Sequence, residues 1–118
     1  YALLHQLPGI DLVEAHDYHA DTQRMPRDVW LSLLPARMIN RPFFIGESGM
    51  DSPPLAPEER ATLIGEKLEA AWHEEVDGVL VWSYCAGDGG NKDFDIHDPL
   101  ARTLRRFSRT HHVRPDLR

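Results

Sequence analysis

The stretch RPFFIGESGM, residues 41–50, decides the fold that the sequence predicts. Phe43, Phe44 and Ile45 are aromatic or β-branched, as is common in strands, and no polar side chain interrupts them before Glu47. A run of this kind predicts a strand that is buried on both faces, as in parallel sheets covered by helices. We therefore expect this strand to belong to an α/β fold.

The strand ends in a carboxylate, Glu47, which is followed by a Ser-Gly turn. Strict alternation puts Phe43, Ile45 and Glu47 on one face of the strand. Phe44 and Gly46 then lie on the other face. Because α/β folds carry their chemistry at the C-terminal ends of parallel strands, Glu47 is a candidate catalytic residue. The plainer interpretation is that Glu47 only caps the turn that follows.

Two further segments have the pattern of strands, one before and one after this stretch. Residues 10–17 follow a Pro-Gly turn signal and alternate between polar and small apolar side chains. His16 and Tyr18 share the polar face, which needs either solvent or partners in a polar cavity. Residues 78–84 are apolar on both faces and predict a second fully buried strand.

Segments of helical periodicity separate these strands. The predicted strands cover about residues 10–17, 42–47 and 78–84, and the predicted helices about residues 27–39, 58–75 and 99–110. We expect Pro35 to kink or split the first helix, because it cannot donate the helical hydrogen bond. The alternation implies parallel strands joined by right-handed crossovers. Long loops after the strands and tight joins before them are typical of a (β/α)8 barrel whose active site lies at the strand C-terminal ends.

Composition and charge narrow the classes of partner. The chain has 118 residues, enough for one ordinary domain. Its formal net charge of −6 disfavours nucleic acid and anionic membranes as partners, since both reward clustered Lys and Arg. No apolar stretch is long enough to span a membrane. Cys85 is the single cysteine, which excludes an internal disulfide, and localisation is left open between secreted and cytoplasmic.

The three strand ends carry His16-Asp-Tyr18, then Ile45-Gly-Glu47-Ser-Gly, then an apolar strand that reaches Trp82. In this order and spacing the series resembles strands six, seven and eight of the clan-A glycoside hydrolases, in particular the cellulase and endo-mannanase family five. The resemblance implies a TIM barrel in which Glu47 is the catalytic nucleophile and Tyr18 hydrogen-bonds it. It also implies that His16 and Trp82 bind the sugar, the indole as an apolar platform. The implied activity is that of a retaining β-glycoside hydrolase acting on mannan or glucan, with no cofactor.

The resemblance also implies that part of the enzyme lies elsewhere. A retaining glycosidase needs a second carboxylate as its acid/base. In the family this glutamate follows an asparagine at the end of strand four, and the chain contains no Asn-Glu pair. A complete barrel needs ~250 residues. We therefore expect residues 1–118 to be the C-terminal part, three βα units, of one barrel domain that another segment or chain completes.

A non-catalytic function is the main alternative for these residues. The chain would then be a carbohydrate-binding or scaffold barrel fragment that keeps the sugar subsite but lacks the acid. A third alternative is an unrelated α/β domain of the flavodoxin type. The expected Gly-rich phosphate loop after the first strand is absent, which disfavours that class.

Two groups of residues have the composition of a metal site. The first is His16, Asp17, His19 and Asp21, but alternation sends the last three to the face opposite His16. The second lies in the Gly/Asp-rich loop of residues 86–98 and consists of Asp88, Asp93 and Asp95. Its spacing fits no common Ca²⁺ loop, which favours a solvated or substrate-facing loop. We therefore assign no metal site.

Overall fold

Strands and helices alternate along the described part of the chain. The computed structural model describes residues 6–50, 55–82 and 98–111. Its elements are β1 (Val13–Asp17), α1 (Arg27–Met38), β2 (Phe43–Ser48), α2 (Pro57–His73), β3 (Gly78–Val81) and α3 (Asp98–Thr110). Over the described residues the chain forms a small α/β arrangement of three parallel strands and three helices.

The three strands form one parallel sheet in the order β1-β2-β3. Val13 of β1 pairs with Phe43 of β2, and Ile45 of β2 pairs with Val79 of β3. Parallel neighbours need a crossover connection, which α1 and α2 supply. The C-terminal ends of all three strands therefore lie next to one another, which brings residues 16–18, 47–49 and 82 into one neighbourhood.

The hydrophobic core lies between the helices and one face of the sheet. The strands contribute Val13, Phe43 and Ile45, which are almost completely buried. The helices contribute Val29, Leu33 and Ala36 of α1, Ile64, Leu68 and Ala71 of α2, and Leu100 of α3. All three helices thus cover the same face, and burial of these side chains is the main force that holds the layers together.

The opposite face of the sheet, here called the open face, carries exposed side chains. Its members are Glu14, His16, Tyr18, Phe44, Glu47, Leu80 and Trp82. Leu80 is 61% exposed and Trp82 is 50% exposed. No helix among residues 6–50, 55–82 and 98–111 packs on this face, although parallel sheets are normally covered on both faces.

The two joins from helix to strand are tight because α1 and α2 end in the same way. Asn40 and Glu75 have φ angles of 53° and 56°, the left-handed conformation that ends many helices. The residue after each returns its N–H to the carbonyl five residues earlier, as in a Schellman motif. Helix α2 therefore ends at His73, two residues before the predicted end.

The first and third strands are shorter than the sequence pattern predicts, whereas the second, predicted over residues 42–47, has the predicted length and covers Phe43–Ser48. The first was expected over residues 10–17 but begins at Val13. Ile10 is not available for pairing, because its N–H closes a turn on the carbonyl three residues earlier. The third strand was expected over residues 78–84; it ends at Val81, and the last two residues of that range lie outside the described residues.

The expected split of the first helix at Pro35 is wrong. Helix α1 runs without interruption from Arg27 to Met38. The carbonyl of Pro35 accepts the N–H of Ile39 at 3.1 Å, so the turn that follows is intact. Leu33 and Ala36 are buried on either side of Pro35. Their packing against the sheet offsets the one hydrogen bond that the proline cannot donate.

Candidate active site

A β-bulge in β2 sets the direction of the Glu47 side chain. Ala15 pairs with Ile45, whereas the next residue, His16, pairs with Glu47. Gly46 is therefore an extra residue in β2, and such a residue reverses the alternation that follows it. Glu47 lies on the open face, opposite to Ile45. The prediction that these two side chains share a face is wrong for this reason.

Gly46 fits at the bulge because it has no side chain. A Cβ atom at this position would collide with the carboxylate of Glu14 on β1. The Glu14 carboxylate therefore lies over the backbone of Gly46, next to the candidate nucleophile. A larger residue at position 46 would displace the flexible Glu14 side chain from this position.

The Tyr18 hydroxyl donates a hydrogen bond to Oε2 of Glu47 at 2.8 Å. This contact joins the end of β1 to the end of β2. Partial burial, followed in importance by the hydrogen bond and the charge of Glu47, raises the pKa of Tyr18 from 10.0 to about 12. The phenol therefore stays protonated at neutral pH and remains a donor, which holds the carboxylate in one orientation.

His16 lies between two carboxylates on the open face. Its Nδ1 is 3.5 Å from Oε2 of Glu47, and its Nε2 is 3.3 Å from Oε2 of Glu14. Both Tyr18 and His16 thus contact the same oxygen of Glu47. Within the described residues, no protein donor reaches the other oxygen, Oε1, and the Glu47 side chain is 31% exposed. One oxygen is held by the protein while the other is accessible.

Trp82 follows β3 on the open face. Its backbone N–H donates to the carbonyl of Ser48 at 2.9 Å, which ties it to the residue after Glu47. Val79 and Val81 pack against the helices, and Leu80 and Trp82 are the exposed side chains between and after them. The side-chain contacts therefore join His16, Tyr18 and Glu47, whereas Trp82 is linked to them through its backbone.

Two residues of this neighbourhood were not predicted to take part in the site. Glu14 lies two residues before His16 on β1, so both side chains lie on the open face and contact each other. Lys67 of α2 is buried and reaches the ends of β1 and β2. The burial of Lys67 could have been inferred from the sequence, because position 67 falls on the apolar stripe of the helix, between Ile64 and Ala71.

The described residues contain no group of three or more His, Cys, Asp or Glu side chains that could hold a metal ion. In the first candidate set, Asp17 Oδ1 is 3.3 Å from His19 Nδ1, while His16 points to the open face. The second candidate set, residues 88–95, lies outside the described residues. Among the helices that the structure describes, none has the length and apolar character needed to cross a membrane.

Comparison of the chain with protein-family models, with curated proteins and with solved structures gives no match. The chemistry of the site is therefore inferred from its own contacts. The hydrogen bond between Tyr18 and Glu47 is the most informative of these, because it joins two strand ends that are far apart in the sequence.

Replacing Glu47 by Gln is expected to lower the pKa of Tyr18 from about 12 towards 10. Burial of the phenol persists in the variant, so the value should stay above that of free tyrosine, but the charge that opposes tyrosinate is lost. The measurement is a titration of tyrosinate absorbance, with Tyr18→Phe identifying the signal. The control is Glu59→Gln, at the exposed start of α2, which should leave the pKa of Tyr18 unchanged. An unchanged titration in Glu47→Gln contradicts the hydrogen bond between Tyr18 and Glu47.

The raised pKa of Tyr18 also makes the stability of the folded protein depend on pH at alkaline values. Because the folded pKa of Tyr18 is higher than the unfolded value, the neutral phenol contributes stability that is fully present below about pH 10. This contribution is lost as the pH rises from about 10 to about 12. Stability measured over this range should fall less steeply in Tyr18→Phe than in the unmodified protein.

Proposed function

We propose that this chain carries the nucleophile of a retaining β-glycoside hydrolase that acts on β-linked polysaccharide or oligosaccharide, mannan or glucan. The observation that carries the proposal is the 2.8 Å hydrogen bond from Tyr18 to Glu47 at the ends of two adjacent parallel strands. A carboxylate with one oxygen held and one oxygen accessible has the arrangement that nucleophilic attack requires.

In the proposed reaction, Oε1 of Glu47 attacks the anomeric carbon of the sugar. The bond between this carbon and the glycosidic oxygen breaks, and an acid/base glutamate outside this chain protonates the leaving oxygen. The same glutamate then removes a proton from water, which displaces Glu47 from the anomeric carbon. Two displacements at one carbon return the original β configuration.

The neighbouring side chains have distinct roles in this proposal. Tyr18 keeps Oε2 of Glu47 occupied by a hydrogen bond throughout the reaction, which directs Oε1 at the sugar. His16 is close enough to both Glu14 and Glu47 to be oriented by them, and its ring lines the sugar subsite. Trp82, half exposed on the open face, supports the C–H face of the ring.

The proposal includes the rest of a TIM barrel. The open face would form part of the barrel interior, and strands one to five would come from another segment or chain. Exposed Leu80 and Trp82 support this, because a parallel sheet is stable when both of its faces are covered. The acid/base glutamate would come from strand four of that part.

The stereochemistry of the product tests the proposed reaction. The full-length protein is incubated with mannan and cellulose oligosaccharides and with aryl β-glycosides, and the first anomer released is identified by proton NMR. We expect the β anomer before mutarotation, because Glu47 and water each invert the same carbon once. Release of the α anomer first contradicts a nucleophilic role, and sugar binding without hydrolysis favours the non-catalytic alternative.

A further inference from the structure

Beneath the candidate site, a lysine of α2 is buried against the ends of β1 and β2. The side chains of Lys67 and Asp17 are only 4% and 5% exposed. Lys67 Nζ donates to Oδ1 of Asp17 at 3.1 Å, to the carbonyl of Asp17 at 3.2 Å and to the carbonyl of Gly49 at 2.9 Å. All three protons of the ammonium group therefore have acceptors, as a buried charge requires.

These contacts fix the segments that carry Tyr18 and Glu47. The N–H of Gly49 donates to the carbonyl of Asp17 at 3.1 Å, so Lys67 binds the same two strand ends that the backbone joins. Oδ1 of Asp17 also accepts the N–H of His19 at 3.1 Å. This closes a turn with Tyr18 at its centre. The backbone on both sides of Tyr18 is thus held by one carboxylate, which Lys67 in turn holds.

Stability alone does not explain this buried pair. Burial lowers the pKa of Lys67, although the charge of Asp17 opposes that effect. Apolar residues of similar volume often replace a buried ion pair with no loss of stability. Position 67 lies among Ile64, Leu68 and Ala71, where an apolar side chain would suit the helix. We therefore expect the ion pair between Lys67 and Asp17 to hold the ends of β1 and β2 in position.

We propose that Lys67 is a positioning residue, which holds the ends of β1 and β2 at the separation that lets Tyr18 donate to Glu47. Its catalytic consequence rests on the proposed function, whereas its geometric consequence concerns the Tyr18–Glu47 hydrogen bond alone. A displacement of about 1 Å at a reacting group lowers the rate on the order of 10²-fold. Loss of Lys67 is expected to lower kcat by roughly that factor and to leave KM nearly unchanged.

The test uses the double variant Asp17→Asn/Lys67→Met of the full-length protein. It removes both buried charges, so neither is left without a partner. The pKa of Tyr18 is measured by absorbance titration, and kcat and KM are measured on an aryl β-glycoside. We expect the pKa to fall from about 12 towards 10 and kcat to fall about 10²-fold. Arg109→Met, which removes an exposed cation from α3, is expected to change neither.

The outcomes separate this inference from the proposed function. A double variant with an unchanged Tyr18 titration and an unchanged kcat overturns the positioning role while the hydrolase stands. If the unmodified protein hydrolyses no glycoside, the proposed function fails, and the Tyr18 titration alone decides the role of Lys67. If the double variant does not fold, Asp17→Asn/Lys67→Gln is used instead, because it also leaves no buried charge and keeps polar groups at both positions. It should give a smaller fall in the Tyr18 pKa, and no fall at all overturns the inference.

Discussion

The substitution Glu47→Gln is expected to lower kcat of the full-length protein by about 10⁴-fold or more, as removal of a catalytic nucleophile does in other enzymes. An amide is nearly isosteric with the carboxylate but cannot attack the anomeric carbon. Tyr18 can still donate to the amide oxygen at the position of Oε2, so sugar binding should be retained. The measurements are kcat on an aryl β-glycoside and the Kd of an oligosaccharide.

The control for this variant is Glu59→Gln, the same chemical change at the exposed start of α2. It should leave both kcat and Kd unchanged. A stricter test is Glu47→Ala with added azide, which can enter the space left by the carboxylate and attack the same carbon. We expect an α-glycosyl azide, since a single displacement inverts the β configuration. Full turnover of Glu47→Gln would rule out the nucleophilic role.

The second large expected effect is self-association of the 118-residue chain when it is isolated. Its open face exposes Leu80 and Trp82, and β1 and β3 form the two edges of the described sheet. Exposed apolar surface and unpaired strand edges promote association. We therefore expect the isolated chain to sediment as oligomers or aggregates, and to sediment as a defined species once the proposed remainder of the barrel is present.

A pair of substitutions shows which surface is responsible. Leu80→Lys puts a charge on the open face and should increase the monomer fraction of the isolated chain. Met38→Lys is the matched control, because Met38 is 86% exposed at the end of α1, away from the open face. A monodisperse monomer of the unmodified chain that unfolds cooperatively would contradict the proposal that a further part of the barrel covers this face.

The sequence predicted the order of strands and helices because each element has a clear periodicity. The apolar run at Phe43–Ile45 and the apolar stripe of α2 needed only local rules to be recognised. The limits of the elements were less accurate, because they depend on contacts that local rules do not contain. The pairing of Val13 with Phe43 sets the start of β1, and a left-handed residue at position 75 sets the end of α2.

The candidate site was predicted less completely, for two physical reasons. The alternation rule assigns Glu47 to the helix-covered face, and only the register of β1 against β2 shows that Gly46 interrupts the alternation. The expectation that Tyr18 bonds Glu47 came from a resemblance between short motifs. Lys67 escaped notice because a lysine on an apolar stripe is usually a solvated side chain at its margin. Its burial depends on acceptors from β1 and β2, which the helix sequence does not contain.

The left-handed residues Asn40 and Glu75 also affect where the chain can accept insertions. They reverse the chain within a few residues, at the edge of the sheet opposite to Glu47. An insertion there would break two backbone hydrogen bonds and shift the strand that follows. Among the connections that follow the strands, residues 18–26 are described throughout and contain no left-handed residue. Insertions should therefore be tolerated better where the strands end, near Glu47, than where the strands begin.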